Sequence, residues 1–187
     1  MTICLLVLAA AHAAADPAAE QLYREGRARF DLGNFDEACE KFQQSRALEE
    51  RFGIVLALAT CRERQGRYAT AWDLYVEAKA FAVREKRDRY VGVVQRRATE
   101  IAGLRSFLTV AIPGKHRVPG LVVRRDGKDV PSASWDQELP IDSGDHVIEA
   151  TAAGYAPLVL HVDVLPRGKV TVTVPALVRR ARGDLGP

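Results

Sequence analysis

The sequence predicts an α+β protein in two separate domains, α-helical hairpins first and then a small antiparallel β-sandwich. Three observations carry that reading. From Ala18 to Leu104 apolar residues recur with helical periodicity, and no proline stands between Pro17 and Pro113, as expected of several amphipathic helices. After Arg105 the chain turns to short β-branched runs separated by Gly and Pro pairs, the texture of strands and tight turns. A hydrophobic content of 48% in 187 residues suffices for one ordinary domain or two small ones, so a folded chain is expected.

Residues 1–15, MTICLLVLAAAHAAA, differ from both halves. An apolar run from Ile3 to Ala10 leads into Ala13, Ala14 and Ala15 before Asp16 and Pro17, which is the hydrophobic and cleavage pattern of a secretory signal peptide without its usual basic start. The run is shorter than the roughly 20 residues of a membrane span. Cys4 precedes the apolar run instead of following it, so it is a poor lipid-attachment site. The expectation is an exported chain that begins near Asp16 and has no transmembrane segment.

Helices are predicted near residues 18–31, 35–48, 52–65, 69–83 and 87–104, punctuated by Gly33-Asn34, Phe52-Gly53 and Gly66-Arg67. They make a helical domain of residues 16–105, two hairpins plus one capping helix. Strands are predicted at 107–112, 121–123, 146–150, 158–162 and 170–174 within a β-domain of residues 106–177. Six turn signals separate them, among them Asp126-Gly127, Ser143-Gly144 and Gly154-Tyr155. Residues 178–187, with Arg179, Arg180 and Arg182, read as a flexible basic tail.

The two hairpins repeat at a spacing of 33: Gly33 aligns with Gly66, Phe35 with Tyr68, Ala38 with Ala71, Phe42 with Tyr75, and Gly26 with Ala59. Small residues fall where helices approach closely, and aromatics fill the space between pairs. This pattern resembles the tetratricopeptide repeat, a helix-turn-helix unit of about 34 residues. Four residues depart from it: Arg29 and Arg62 stand in place of an aromatic, Ser45 in place of alanine, and Glu50 in place of the closing proline. A third unit has only its first helix.

The β-half has its own resemblance. Residues 119–127, PGLVVRRDG, then 139–147, LPIDSGDHV, then Ala153-Gly154-Tyr155 are similar to the PEGA type of β-domain. Together the halves resemble a class of exported bacterial proteins, common in myxobacteria, that join a short tetratricopeptide array to a PEGA-like sandwich. The resemblance implies a protein-binding or peptide-binding function in the periplasm or cell envelope of a Gram-negative bacterium, with no chemistry of its own. An alternative is a structural role, in which the β-domain attaches to a surface polymer or complex and the helices act as a spacer.

In such arrays the first helix of each pair lines the concave face, which here implies a groove of Tyr23, Arg27, Phe30, Leu56, Thr60, Glu63 and Arg64. Cys39 and Cys61 fall near one helical seam, where they are either a disulfide or two buried thiols acting as small hydrophobes. No catalytic residue is assigned. No histidine lies between His12 and His116 to activate a thiol, and no Cys or His spacing suits zinc. Asp142, Ser143, Gly144 and Asp145 read as a turn instead of a calcium loop. His146 is expected to close that turn, Trp72 to face the third helix, and Trp135 to anchor a strand. Glycine-rich phosphate loops are absent, so no cofactor is expected. A net charge of +3 is too small for a nucleic-acid footprint.

Overall fold

A computed structural model describes residues 16–180; the expected signal peptide, and the tail from residue 181 on, lie outside the described residues. Five helices come first: α1 (Pro17–Asp31), α2 (Phe35–Leu48), α3 (Phe52–Arg64), α4 (Tyr68–Arg84) and α5 (Asp88–Ala102). Seven strands follow: β1 (Ser106–Ala111), β2 (Val122–Arg125), β3 (Lys128–Asp129), β4 (Glu138–Ile141), β5 (Gly144–Thr151), β6 (Leu158–Val164) and β7 (Lys169–Thr173). The layout is therefore α+β in two parts.

Local chemistry sets the helix ends. At the start of α1 the Asp16 carboxylate accepts from the amides of Ala18 at 2.8 Å and Ala19 at 3.1 Å, and Pro17 opens the helix with a φ that already suits it. Both hairpin turns close the same way. The Gly33 amide bonds Phe30 O and the Asn34 amide bonds Arg29 O; 33 residues later Gly66 bonds Glu63 O and Arg67 bonds Arg62 O. This double bond pattern needs a left-handed residue after the helix cap. Gly33 (φ 80°) and Gly66 (φ 74°) supply it without a Cβ clash.

Between α1 and α2 the approach is so close that a Cβ on Gly26 would lie 2.7 Å from the Phe42 ring. The helical core runs from Ala38 and Phe42 through Phe52, Val55 and Tyr75 to Val94, Ala98 and Ile101. Cys39 and Cys61, both fully buried, are joined as a disulfide with their Cα atoms 5.6 Å apart. Since Cys39 lies on α2 and Cys61 on α3, the bridge clips the first hairpin to the second. The four departures from the repeat pattern each find a polar partner. Arg29 pairs with Glu37, the buried Ser45 hydroxyl donates to Ala19 O at 2.7 Å, Arg62 donates to Gln43 and Gln65, and Glu50 pairs with Arg46.

The strands form two sheets, β4-β1-β7 and β3-β2-β5-β6, with one shared buried cluster that includes Leu108, Val123, Ile141, Ile148, Val164 and Val174. The expectation of an antiparallel arrangement needs correction, because β1 and β7 pair in parallel, Phe107 opposite Lys169 through Ala111 opposite Thr173. The first and last strands thus close the three-stranded sheet side by side, a pairing that no local turn dictates. The expected tail also needs correction. The Ala156 amide bonds Val178 O, the Arg180 amide bonds Gly154 O, and the Arg179 guanidinium stands 5.5 Å from the centre of the Tyr155 ring, so the chain stays attached through Arg180.

The halves meet where α4 begins. The Asp142 carboxylate, in the turn between β4 and β5, accepts from the Thr70 amide at 3.0 Å and from its hydroxyl at 2.5 Å. Asp142 is thus more than a turn residue. Arg67, at the N-cap of α4, makes no side-chain cap; Asp142, 72 positions beyond Thr70, serves that helix end instead. Below it, His146 lies on β5, and its ring sits between Asp126 Oδ2 at 2.8 Å and Asp142 O at 2.9 Å, closing the turn as expected. Trp72 packs against the helical core and carries the Arg105 guanidinium over its ring at 4.4 Å. Trp135 donates its indole N–H to Val130 O at 3.1 Å and packs against the β cluster.

Candidate partner-binding groove

Helical periodicity puts Tyr23, Arg27 and Phe30 on one face of α1 and Leu56, Thr60, Glu63 and Arg64 on one face of α3. The structure brings all seven to the same side. A concavity of about 310 Å³ is lined by Tyr23, Arg27, Phe30, Leu56 and Thr60. A second, of about 500 Å³, is lined by Leu56, Thr60, Glu63 and Arg64. Leu56 and Thr60 belong to both, so the two form one continuous surface.

Its floor is aromatic and its rim cationic. Tyr23 tilts against Phe42 with centroids 5.7 Å apart, Phe30 meets Phe35 edge-on at 5.2 Å, and Phe52 meets Tyr90 at 4.9 Å. The Arg64 guanidinium lies 4.5 Å from the centre of the Phe35 ring, within the range of a cation–π contact, on an exposed side chain. Arg27 stands 3.7 Å from Asp31 on the open surface, a contact worth little.

Glu63 behaves differently from the other six. Its side chain is 10% exposed and paired with Arg97, and it accepts from the Tyr75 hydroxyl at 2.8 Å. Burial alone would raise its pKa, but the hydrogen bonds from Arg97 and Tyr75 hold it below the usual carboxylate range. The Tyr75 phenol is pushed up to about 12, first by burial and then by the Glu63 carboxylate it faces. This is a cross-brace between α3, α4 and α5, and it forms part of the groove wall with its charge already spent.

The groove also includes residues outside the expected seven. Phe52, Arg87 and Tyr90 line the first concavity, and Val93, Arg96 and Arg97 the second. A signal for three of them exists in the sequence: carrying the spacing of 33 forward from Thr60, Glu63 and Arg64 lands on Val93, Arg96 and Arg97, on the helix of the incomplete third unit.

Among the described residues no group of three or more His, Cys, Asp or Glu is placed to hold a metal ion, and no helix is long and apolar enough to cross a membrane. The chain matches no protein-family model, and no curated protein matches it.

Proposed function

We propose that this chain is a non-catalytic, exported interaction module: a short tetratricopeptide-type array whose groove holds a peptide or protein partner, joined to a PEGA-like β-sandwich. The observation that carries this reading is the continuous surface made by residues 33 apart on α1, α3 and α5. An aromatic floor with an arginine rim suits an extended peptide, since rings give contact area with few rotors to order and guanidinium groups give directed hydrogen bonds. The repeated glycine turns support the repeat assignment, and the polar partners of Arg29, Ser45, Arg62 and Glu50 are compatible with it.

The test uses Arg27→Glu with Arg64→Glu. Neither residue serves the helical core, so circular dichroism should match the parent chain, while capture of a partner from the envelope fraction of the source cells should be lost. Capture that persists undiminished removes the groove from the function.

A further inference from the structure

A third concavity, about 670 Å³, opens on a different face of α3, where positions 58 and 62 replace 56 and 60. Its walls come from α2, α3, the start of α4 and the β2–β3 hairpin, and they carry Arg46, Arg62, Arg67 and Lys128 against one carboxylate, Glu50. Arg46 is already neutralised: it bonds Glu77 at 2.8 and 3.0 Å and Glu50 at 3.0 Å. The other three cations are not. Arg62 is half-buried, yet it donates to two neutral amides, Gln43 Oε1 at 2.6 Å and Gln65 Oε1 at 3.0 Å. Burial first, and then the Arg67 charge, hold the Arg62 guanidinium below its ordinary pKa, offset in part by Asp142, Asp36 and Glu40.

Glu40 acts on Arg62 through its charge without a hydrogen bond to it, and four other acids around this wall are committed elsewhere. Asp129 pairs with Arg124 at 2.8 Å, Asp126 is bound by His146 and by the Val147 amide, Asp142 holds Thr70, and Asp36 accepts from Gln65. Among the described residues Arg67 and Lys128 have no carboxylate partner. Three cations without a carboxylate hydrogen bond thus line one cavity, and a multiply charged anion answers all three where a single carboxylate would answer one.

We propose that this cavity binds a multiply charged oxyanion, a phosphate or pyrophosphate group, between Arg62, Arg67 and Lys128. Arginine forks match tetrahedral oxyanions bidentately, and lysine adds a compact charge. Because Lys128 comes from the β-half and both arginines from the helical half, the ligand also ties the halves together.

Inorganic pyrophosphate is the probe, titrated calorimetrically into the chain without its leader at low chloride. Saturable one-to-one binding is expected. Arg67→Gln and Lys128→Gln, both exposed and so harmless to folding by circular dichroism, should each weaken it about tenfold, the loss of one charge-assisted hydrogen bond. Arg24→Gln, which removes the same charge from the outer face of α1, should leave it within about twofold. No saturation, or equal losses in all three variants, overturns the site. A parallel arm uses phosphatidylcholine vesicles with and without phosphatidylglycerol. Pyrophosphate binding with no vesicle capture assigns a free phosphate ligand. Vesicle capture that falls in Lys128→Gln assigns a headgroup, and capture indifferent to that change counts against the pocket.

Discussion

In the first helical hairpin, Gly26 lies beneath the Phe42 ring with no room for a methyl group; in the second, the aligned residues are Ala59 and Tyr75, and the tyrosine hydroxyl reaches Thr60 at 3.3 Å and Glu63 at 2.8 Å. The turns are the same and the surroundings are not. Glu37, three positions into α2, pairs with Arg29 within its own hairpin, whereas its counterpart Thr70 on α4 is held by Asp142 of the β-half. The first hairpin is tied to the second through the Cys39–Cys61 bridge and the Arg46–Glu77 pair, whereas the second also reaches the β-half. The difference teaches that the repeated residues fix a hairpin's inner geometry, while the positions that vary between copies decide what each hairpin touches next.

The largest expected effect comes from separating the two hairpins. Replacing Cys39 and Cys61 together by alanine removes a cross-link over a sequence separation of 22, and the chain-entropy relation gives a loss of about 3 kcal/mol. The urea midpoint should fall accordingly, and adding a thiol reductant to the parent chain should produce the same fall. A midpoint unmoved by either treatment means that stacking of α2 on α3 alone joins the units.

The contact inside the first hairpin comes next. Gly26→Ala places a methyl group 2.7 Å from the Phe42 ring, and overpacking of this kind costs about 1–3 kcal/mol. Leucine is smaller than phenylalanine and leaves room for the added methyl group, so Gly26→Ala combined with Phe42→Leu should recover part of the loss. In the second hairpin, where alanine is native, Ala59→Gly should cost only about 1 kcal/mol through helix propensity. Equal losses at Gly26 and Ala59 would erase the distinction between the two packings.

Much of this was legible in the sequence because its causes are local. The 33-residue echo gave the hairpins, both glycine turns and the groove faces of α1 and α3, since helical periodicity translates spacing directly into a shared face. What escaped was non-local. Strand β4 contains Pro140, which argues against a strand, yet β4 is a sheet edge where a missing amide is tolerated. The parallel pairing of β1 with β7 joins segments about 60 residues apart, a distance over which pattern carries no register. The role of Asp142 escaped for the same reason: a turn aspartate bonding its own backbone and one reaching another domain's helix look identical in sequence.

That residue supplies the smallest of the three effects and the sharpest test of docking. Asp142→Ala leaves the Thr70 amide and hydroxyl without their carboxylate and removes a favourable charge from the positive end of the helix, so a loss of about 1 kcal/mol is expected. Glu37→Ala, at the aligned position of the first hairpin, gives up only an exposed ion pair and should change stability by a few tenths of a kcal/mol at most. Hydrogen exchange separates the two cases more finely than a melting curve. With Asp142 gone, the Thr70 amide should exchange faster while the Gly66 and Arg67 amides, bonded within the hairpin turn, keep their protection. Faster exchange across the whole of α4 would mean that the β-half supports the helix itself, and the two hairpins would then differ in their folding and not merely in their neighbours.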